Sequence, residues 1–365
     1  MSPSSRPAEK IVVAMSGGVD SSVAALLLTQ LGHQVIGLTL QLQPSPEDRG
    51  EIETVKQARL AAEHIGISHQ TIEQRELFER QVLRYSWDQY AKGRTPNPCT
   101  VCNPQIKFKT LIDFAAGIGA GRIATGHHAR IEIESTCKAP VLLRGKDENK
   151  DQSYFLFGLS PAQLDLSLFP IGNLTKDEVR RIARQNGLPN ADNRESQDAC
   201  MAVTETGFAE TLREAFGQPA GKGNIVNRDG KVLGTHLGIH RYTIGQRRGL
   251  GIALGSRAYV LAIDPNSNEV TVDTDENLLL SRSFEVSNVV WQAAGQPGQA
   301  FEAAVQIRYR HRPARASLEP LSGDIVRVRF EKPQKSITPG QAAVFYDGQR
   351  VIGGGWIEQA MQETE

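Results

Sequence analysis

The 365-residue sequence predicts an α/β domain built on a parallel sheet, followed by all-β modules. Three observations carry that prediction. Residues Ile11 to Ser22 read as strand, small-residue loop and helix start. Strands and helices then alternate along the N-terminal part of the chain. Beyond about Gly217 the pattern changes to short alternating strands between turn signals.

Ile11 to Met15 are all apolar, as expected of a strand buried on both faces. Ser16-Gly17-Gly18 ends the run, and its two glycines allow positive φ and a close approach of backbone to ligand. Ser22 to Leu31 has a helical composition stopped by Gly32. Such a loop, feeding a helix N-terminus, aims free N–H groups and the positive helix end at one point and so suits an anion. It contains neither GxxxxGK[ST] nor GxGxxG. The plain alternative is an ordinary strand-to-helix turn.

Gln34 to Leu40 reads as a second strand and residues 44–50 as a polar loop. Ile52, Val55, Ala58, Ala61, Ala62 and Ile65 mark one helix face. Ser68 to Glu73 suits a third strand and Glu76 to Ala91 another helix. In a parallel sheet of this kind ligands bind at the carboxyl ends of the strands, where the Ser-Gly-Gly-Val-Asp-Ser loop lies. Between Arg94 and Phe108, prolines 96, 98 and 104 predict a loop without regular structure. Cys99 and Cys102 form a CxxC there, which reads as half a zinc site, a redox pair or a coincidence. His127 and His128 are the candidates to complete a zinc site. Lys107 and Lys109 suit phosphate or an ordinary solvated helix face.

Arg122 to His128 reads as a strand entering a Gly-His-His turn, with Gly126 leaving room for a base or ribose. Either histidine alone suits a structural role. Ala129 to Ile133 and Val141 to Arg144 suggest a hairpin around Cys137, a bystander. Thr175-Lys-Asp-Glu178 is a capping box for a helix ending near Gly187. A polar run from Asn193 leads to Cys200, whose thiol is expected to be reachable.

In the C-terminal part, turn signals at Asp229-Gly230, Pro265 to Asn268 and Asp347-Gly348 separate short strands. Among these are Ala258 to Ile263, Glu269 to Val272, Ala303 to Ile307 and Ile325 to Phe330, which suggest a small β module and then a barrel. His240 to Gly251 is basic and glycine-rich, and Arg308-Tyr-Arg-His-Arg312 interleaves cations with an aromatic ring. Residues 301–335 hold eight Lys/Arg against four Asp/Glu, a local excess suited to nucleic acid, although a solvated strand face has the same look.

Lys and Arg total 41, as do Asp and Glu, so a nucleic-acid site has to come from such patches and not from a global field. Four cysteines are too few for a disulfide scaffold and fit a reducing, cytoplasmic setting. The first ten residues lack the apolar core of a secretory signal, and there is no long apolar run to span a membrane.

The loop at Ser16 to Ser21 resembles the SGGxDS signature of the PP-loop ATP pyrophosphatases. The ordered set AMSGGVDSSVA, TPNPCTVCNPQIKFK, ATGHHAR, KDQSYFL, ESQDACM, TIGQRRGLGI, IRYR, TPGQAAVFYDG and IGGGWI resembles the bacterial-type tRNA-specific 2-thiouridylases over about Lys10 to Glu358. The resemblance implies a Rossmann-like α/β PP-loop domain of the adenine nucleotide alpha hydrolase type over 1–212, a small central β domain over 213–280 and a tRNA-binding β-barrel over 281–365.

It further implies replacement of O2 of the wobble uridine by sulfur in tRNAs for lysine, glutamate and glutamine. ATP and Mg²⁺ are implied cofactors, and a cysteine desulfurase or sulfur relay protein is the implied persulfide donor. Ala14, Met15, Ser16, Gly17, Gly18, Val19, Asp20 and Ser21 match ATP-binding positions, with Asp20 near phosphates and Mg²⁺. Leu40, where the family often has methionine, and Gly126 match positions beside the adenosine. Asn97, Pro98 and Cys99 match the segment meeting the target base. Cys102 matches the nucleophile, and Cys200 matches the persulfide carrier that forms a transient disulfide with it. His127, Lys150, Asp151, Gln152, Arg308, Tyr309 and Gln341 match tRNA-contact positions. Some members carry aspartate in place of Cys99, so a third cysteine here permits an iron–sulfur cluster, although the default expectation is no resident metal. The motif around Cys200 reads SQDACM in place of the common STGICF.

Two rival readings explain less. A PP-loop synthetase using ammonia leaves the paired cysteines and basic β modules without a task. A non-catalytic RNA-binding or thiol-redox protein leaves the SGGVDS loop unused.

Overall fold

The computed structural model describes residues 8–43, 51–134, 138–193, 207–217, 221–253, 255–292, 297–321 and 323–361. These fall into two compact units. One takes its residues from 1–78, 99–202 and 349–351, the other from 79–98, 203–348 and 352–365.

The first unit opens with β1 (Lys10–Ala14), α1 (Val19–Gln30), β2 (Gln34–Gln41), α2 (Glu53–Ile65) and β3 (Ser68–Glu73). After α3 (Arg75–Phe78) the chain passes into the second unit through a π-helical turn, Glu79–Leu83, and α4 (Arg84–Ala91). It returns in α5 (Pro98–Cys102), which continues as π-helical Asn103–Phe108 and α6 (Lys109–Gly117). Next come β4 (Arg122–Ala124), the hairpin of β5 (Ala129–Ile133) and β6 (Pro140–Arg144), α7 (Pro161–Asp165), β7 (Ser167–Leu168) and α8 (Lys176–Gln185).

Five strands form a parallel sheet in the order β3-β2-β1-β4-β7. Strand order reverses at β1, so the loop after β1 opens at the switch point where such sheets bind ligands. Ile11, Val13 and Met15 pack with Ala25 and Leu28 of α1 and with Ala58, Ala61 and Ala62 of α2. The other side of α1, with Val19, Val23 and Leu26, packs on Val179 and Ala183 of α8. Helix α1 is therefore apolar on both sides because it is buried between sheet and helix.

Two expectations are corrected here. Helix α1 begins at Val19 and not at Ser22, because Gly18 is extended and accepts the hydroxyls of Ser21 (3.0 Å) and Ser22 (3.1 Å). The segment between Arg94 and Phe108 is helical from Pro98 onward. Pro98 stands at the first helical position, where a missing N–H costs little. Pro104 lies near the start of the π-helical stretch, the widened geometry that accommodates a break in the normal bonding ladder.

In the second unit α9 (Phe208–Phe216) precedes β8 (Gly223–Val226), β9 (Val232–His236), β10 (Tyr259–Asp264) and β11 (Glu269–Asp273). These strands form a sheet in the order β10-β11-β8-β9 over Ile225, Val260, Val270 and Val272. Then come β12 (Leu280–Trp291), β13 (Phe301–Gln306), β14 (Ala314–Pro320), β15 (Val326–Lys335), β16 (Ala342–Asp347) and β17 (Arg350–Met361). They follow the order β12-β15-β14-β13-β16-β17, and β12 pairs with β17 to close a six-stranded barrel around Phe284, Val305, Phe330 and Phe345. Closure leaves no free barrel edge. No described helix is long and apolar enough to cross a membrane.

Candidate active site

The loop after β1 is held from three sides. The N–H of Ser16 donates to Ser21 Oγ (3.2 Å). Asn190, fully buried, donates through Nδ2 to Gly17 O (2.8 Å) and to Ser22 Oγ (2.9 Å). Thr39 Oγ1 donates to Met15 O (2.7 Å), which commits its proton, so the 2.8 Å contact with His69 Nε2 has the histidine as donor. Gly17 has φ +78°, and a Cβ there would lie 2.4 Å from Thr54 O. A Cβ at Gly126 would meet Ser21 N at 2.5 Å and Asp20 C at 2.6 Å. The turn after β4 thus lies directly against the first turn of α1.

Asp20, in that first turn, accepts from Lys176 Nζ at 2.7 and 2.8 Å and from His128 Nε2 at 3.4 Å. Burial opposes its ionisation, but the His128 hydrogen bond and the Lys176 charge prevail and hold the carboxyl below its ordinary value. Lys176 is brought inward by the α8 capping box. Thr175 Oγ1 accepts from Glu178 N (3.3 Å), Glu178 accepts from Thr175 N (2.6 Å), and Asp147 accepts from Lys176 N (2.9 Å). The Glu178 carboxyl is lowered to about 2 by these Thr175 bonds and by Lys146.

His127 is buried, stacks on Phe108 (6.0 Å) and shares a 2.7 Å hydrogen bond with Thr125. Burial, with the Lys107 charge, pushes its pKa well down, so the ring is neutral. Gln152 clips the same turn, accepting from His128 N (2.9 Å) and donating its own N–H to His128 O (2.8 Å). The Asp151 carboxylate accepts from Arg144 (2.9 Å), Gly145 N (2.9 Å), Ser153 N (3.0 Å) and Ser153 Oγ (2.9 Å). Both residues therefore hold the loop together, and Lys150 is half-buried at its edge.

Cys102 ends α5 and is buried, while Cys99 is half-buried one turn earlier, so the expectation of a non-helical Cys102 is corrected. Asn103 donates to Phe155 O (3.0 Å) and Gln163 to Pro104 O (2.9 Å), anchoring the helix just past the thiol. Phe108, at the end of the π-helical stretch, reaches His127, so the cysteine helix and the turn after β4 share one packed core. Cys200 and Cys137 lie outside the described residues.

Leu40 is half-buried on β2 beside Ile72 of β3. Asn97 and Pro98 precede the cysteines and are half-buried. Arg308, Tyr309 and Gln341 belong to the second unit. There Arg308 donates to Lys335 O (3.0 Å) and Gln341 to Thr95 O (2.8 Å). Sequence reasoning missed Lys176, Asn190, Thr39 and His69. The capping box at Thr175 was the one signal near Lys176, and nothing local marked the other three.

Fold and site define an adenine-nucleotide-type α/β protein of the HUP class carrying two β modules. The profile described as "tRNA methyl transferase HUP domain" matches residues 9–204. The "tRNA methyl transferase PRC-barrel domain" matches 210–274 and the "Aminomethyltransferase beta-barrel domain" 281–357. The protein named tRNA-specific 2-thiouridylase MnmA in Geobacter metallireducens is 45% identical over 365 residues, covering 97% of this chain and 98% of that one. Its namesake in Geotalea uraniireducens is 44% identical, covering 97% and 96%, and that in Trichormus variabilis is 45% identical, covering 96% and 99%. The chain belongs to the tRNA-specific 2-thiouridylase family, whose members are tRNA sulfurtransferases.

Proposed function

We propose that this protein converts the wobble uridine of tRNAs for lysine, glutamate and glutamine to 2-thiouridine in the cytoplasm, using ATP and a protein persulfide. One observation carries the reading: Gly126 lies against Asp20 and Ser21, and the same packed unit ends a helix on buried Cys102. Methyl transfer, which two of the matched descriptions mention, has no need of that cysteine helix.

In this reading residues 1–212 form the catalytic domain, 213–280 the central β domain and 281–365 the tRNA-binding barrel. The N–H groups from Gly17 to Ser21 receive the ATP phosphates, and Leu40 and Gly126 flank the adenosine. The acidic Asp20 is the residue fitted to hold Mg²⁺, which would neutralise phosphate charge. Uracil O2 attacks the α-phosphorus and pyrophosphate leaves, turning a poor leaving oxygen into AMP. Cys200 carries the persulfide. The Cys102 thiolate attacks its inner sulfur and expels hydrosulfide. Hydrosulfide adds to C2, AMP departs, and the Cys102–Cys200 disulfide is reduced by an external dithiol. Asn97, Pro98 and Cys99 meet the target base. His127, Lys150, Asp151, Gln152, Arg308, Tyr309 and Gln341 shape or contact the RNA side.

The test is the nucleotide product of a tRNA-dependent reaction. AMP and pyrophosphate are expected; ADP and phosphate would overturn the reading.

A further inference from the structure

From Lys231 to Ile263 the chain has five Lys/Arg and no Asp/Glu. Three of these arginines, Arg247, Arg248 and Arg257, stand exposed on the loop that enters β10. Gly249, Gly251 and Gly255 on this loop all have φ +69°, a left-handed backbone that turns the chain back on itself. The loop walls an open cavity of about 640 Å³ with Arg247 and Arg257 on its lining.

The loop is fixed to the barrel. Gly245 has φ +82°, and a Cβ there would lie 2.2 Å from Ser336 Oγ, so the backbone approach depends on glycine. Ser336 follows Lys335, whose Nζ lies 4.9 Å over the Tyr259 ring and 2.5 Å from Glu276. Arg308 in turn donates to the carbonyl of Lys335. The Glu276 carboxyl is held below its ordinary value by the Lys335 hydrogen bond first and then by Tyr259.

We infer that Arg247, Arg248 and Arg257 of the middle β module, with Arg308 of the barrel, form one cationic track that binds the phosphate backbone of the substrate RNA. This rests on the reading that tRNA is the substrate. Several exposed cations on a fixed frame match the phosphates of a polyanion. The track assigns the middle module a direct role in RNA capture.

The experiment uses the full chain with Arg247→Ala and Arg257→Ala combined, and a charge-keeping pair, Arg247→Lys with Arg257→Lys. Affinity for unmodified tRNA is read by fluorescence anisotropy over a range of salt. The slope of log affinity against log salt should become shallower by about one for each arginine removed. The lysine pair should keep the parent slope. An unchanged slope in the alanine pair overturns the track, and so does weaker binding at the parent slope. Thiouridine formation by the parent protein is measured alongside. If the parent makes none while the slope still shifts, the reading of the reaction falls and the RNA track stands.

Discussion

At Gly126 and Asp20 single atoms decide the site. A methyl at Gly126 would meet backbone at 2.5 and 2.6 Å, and backbone cannot swing aside as a side chain can. Gly126→Ala should cost about 1–3 kcal/mol, as overpacking does. It should also sharply reduce pyrophosphate release; urea denaturation with a product assay checks both, and parent-like values would contradict the packing argument. Asp20→Ala should abolish nucleotide cleavage while leaving tRNA affinity close to the parent's. It also strips Lys176 of a carboxylate partner, so stability should fall at neutral pH. The sign follows from the lowered carboxyl of Asp20. Its contribution is present above the ordinary value of 3.8 and fades as pH drops through the lower folded value. Parent and variant should therefore converge in acid, which urea titrations at several pH values measure. The SGGVDS loop was legible because its six residues are contiguous. Asn190 and Lys176 were not, since they meet that loop from across a long span of chain and only folding reveals that Lys176 turns inward.

Among the elements, the helix bearing Cys102 departs most from expectation. Proline counting marked Arg94 to Phe108 as irregular, but the effect of proline depends on its place in a helix, and Pro98 and Pro104 fall where it is tolerated. Strands β1 to β6, β10, β11, β13 and β15 were legible from apolar runs, alternation and turn residues, β7 to β9, β12, β14, β16 and β17 were not marked out, and the capping box gave the start of α8. What sequence spacing did not convey is the strap before the cysteines. Arg94 pairs with Glu358 (2.5 Å), and Thr95 N donates to Pro339 O (2.8 Å) while its carbonyl accepts from Gln341. All of these lie in the unit that contains the barrel. Arg94→Ala should therefore lower thiouridine formation several-fold with tRNA affinity little changed. Exchanging the pair, Arg94→Glu with Glu358→Arg, should restore part of it. Steady-state kinetics separate the two effects, and a loss confined to tRNA affinity would contradict a positioning role.

Over the whole molecule, the order of an α/β domain, a small β module and a barrel was legible because composition and periodicity change near Gly217. The assignment of residues 79–98 to the second unit was not, because short helices carry no mark of which core they join. Ending the chain after Leu280 removes Pro339, Gln341 and Glu358, and with them the anchors of Arg94 and Thr95. Such a fragment should still bind ATP but bind tRNA weakly and form no thiouridine; isothermal titration and product analysis distinguish the losses. The central claim, that the cysteine at the end of α5 releases the sulfur that reaches uridine, is tested by one measurement. Parent protein and Cys102→Ser are incubated with tRNA, ATP, Mg²⁺ and a persulfide donor, and 2-thiouridine is quantified by mass spectrometry of the digested tRNA. The account predicts thiouridine with the parent and essentially none with Cys102→Ser; equal yields from the two proteins would contradict it.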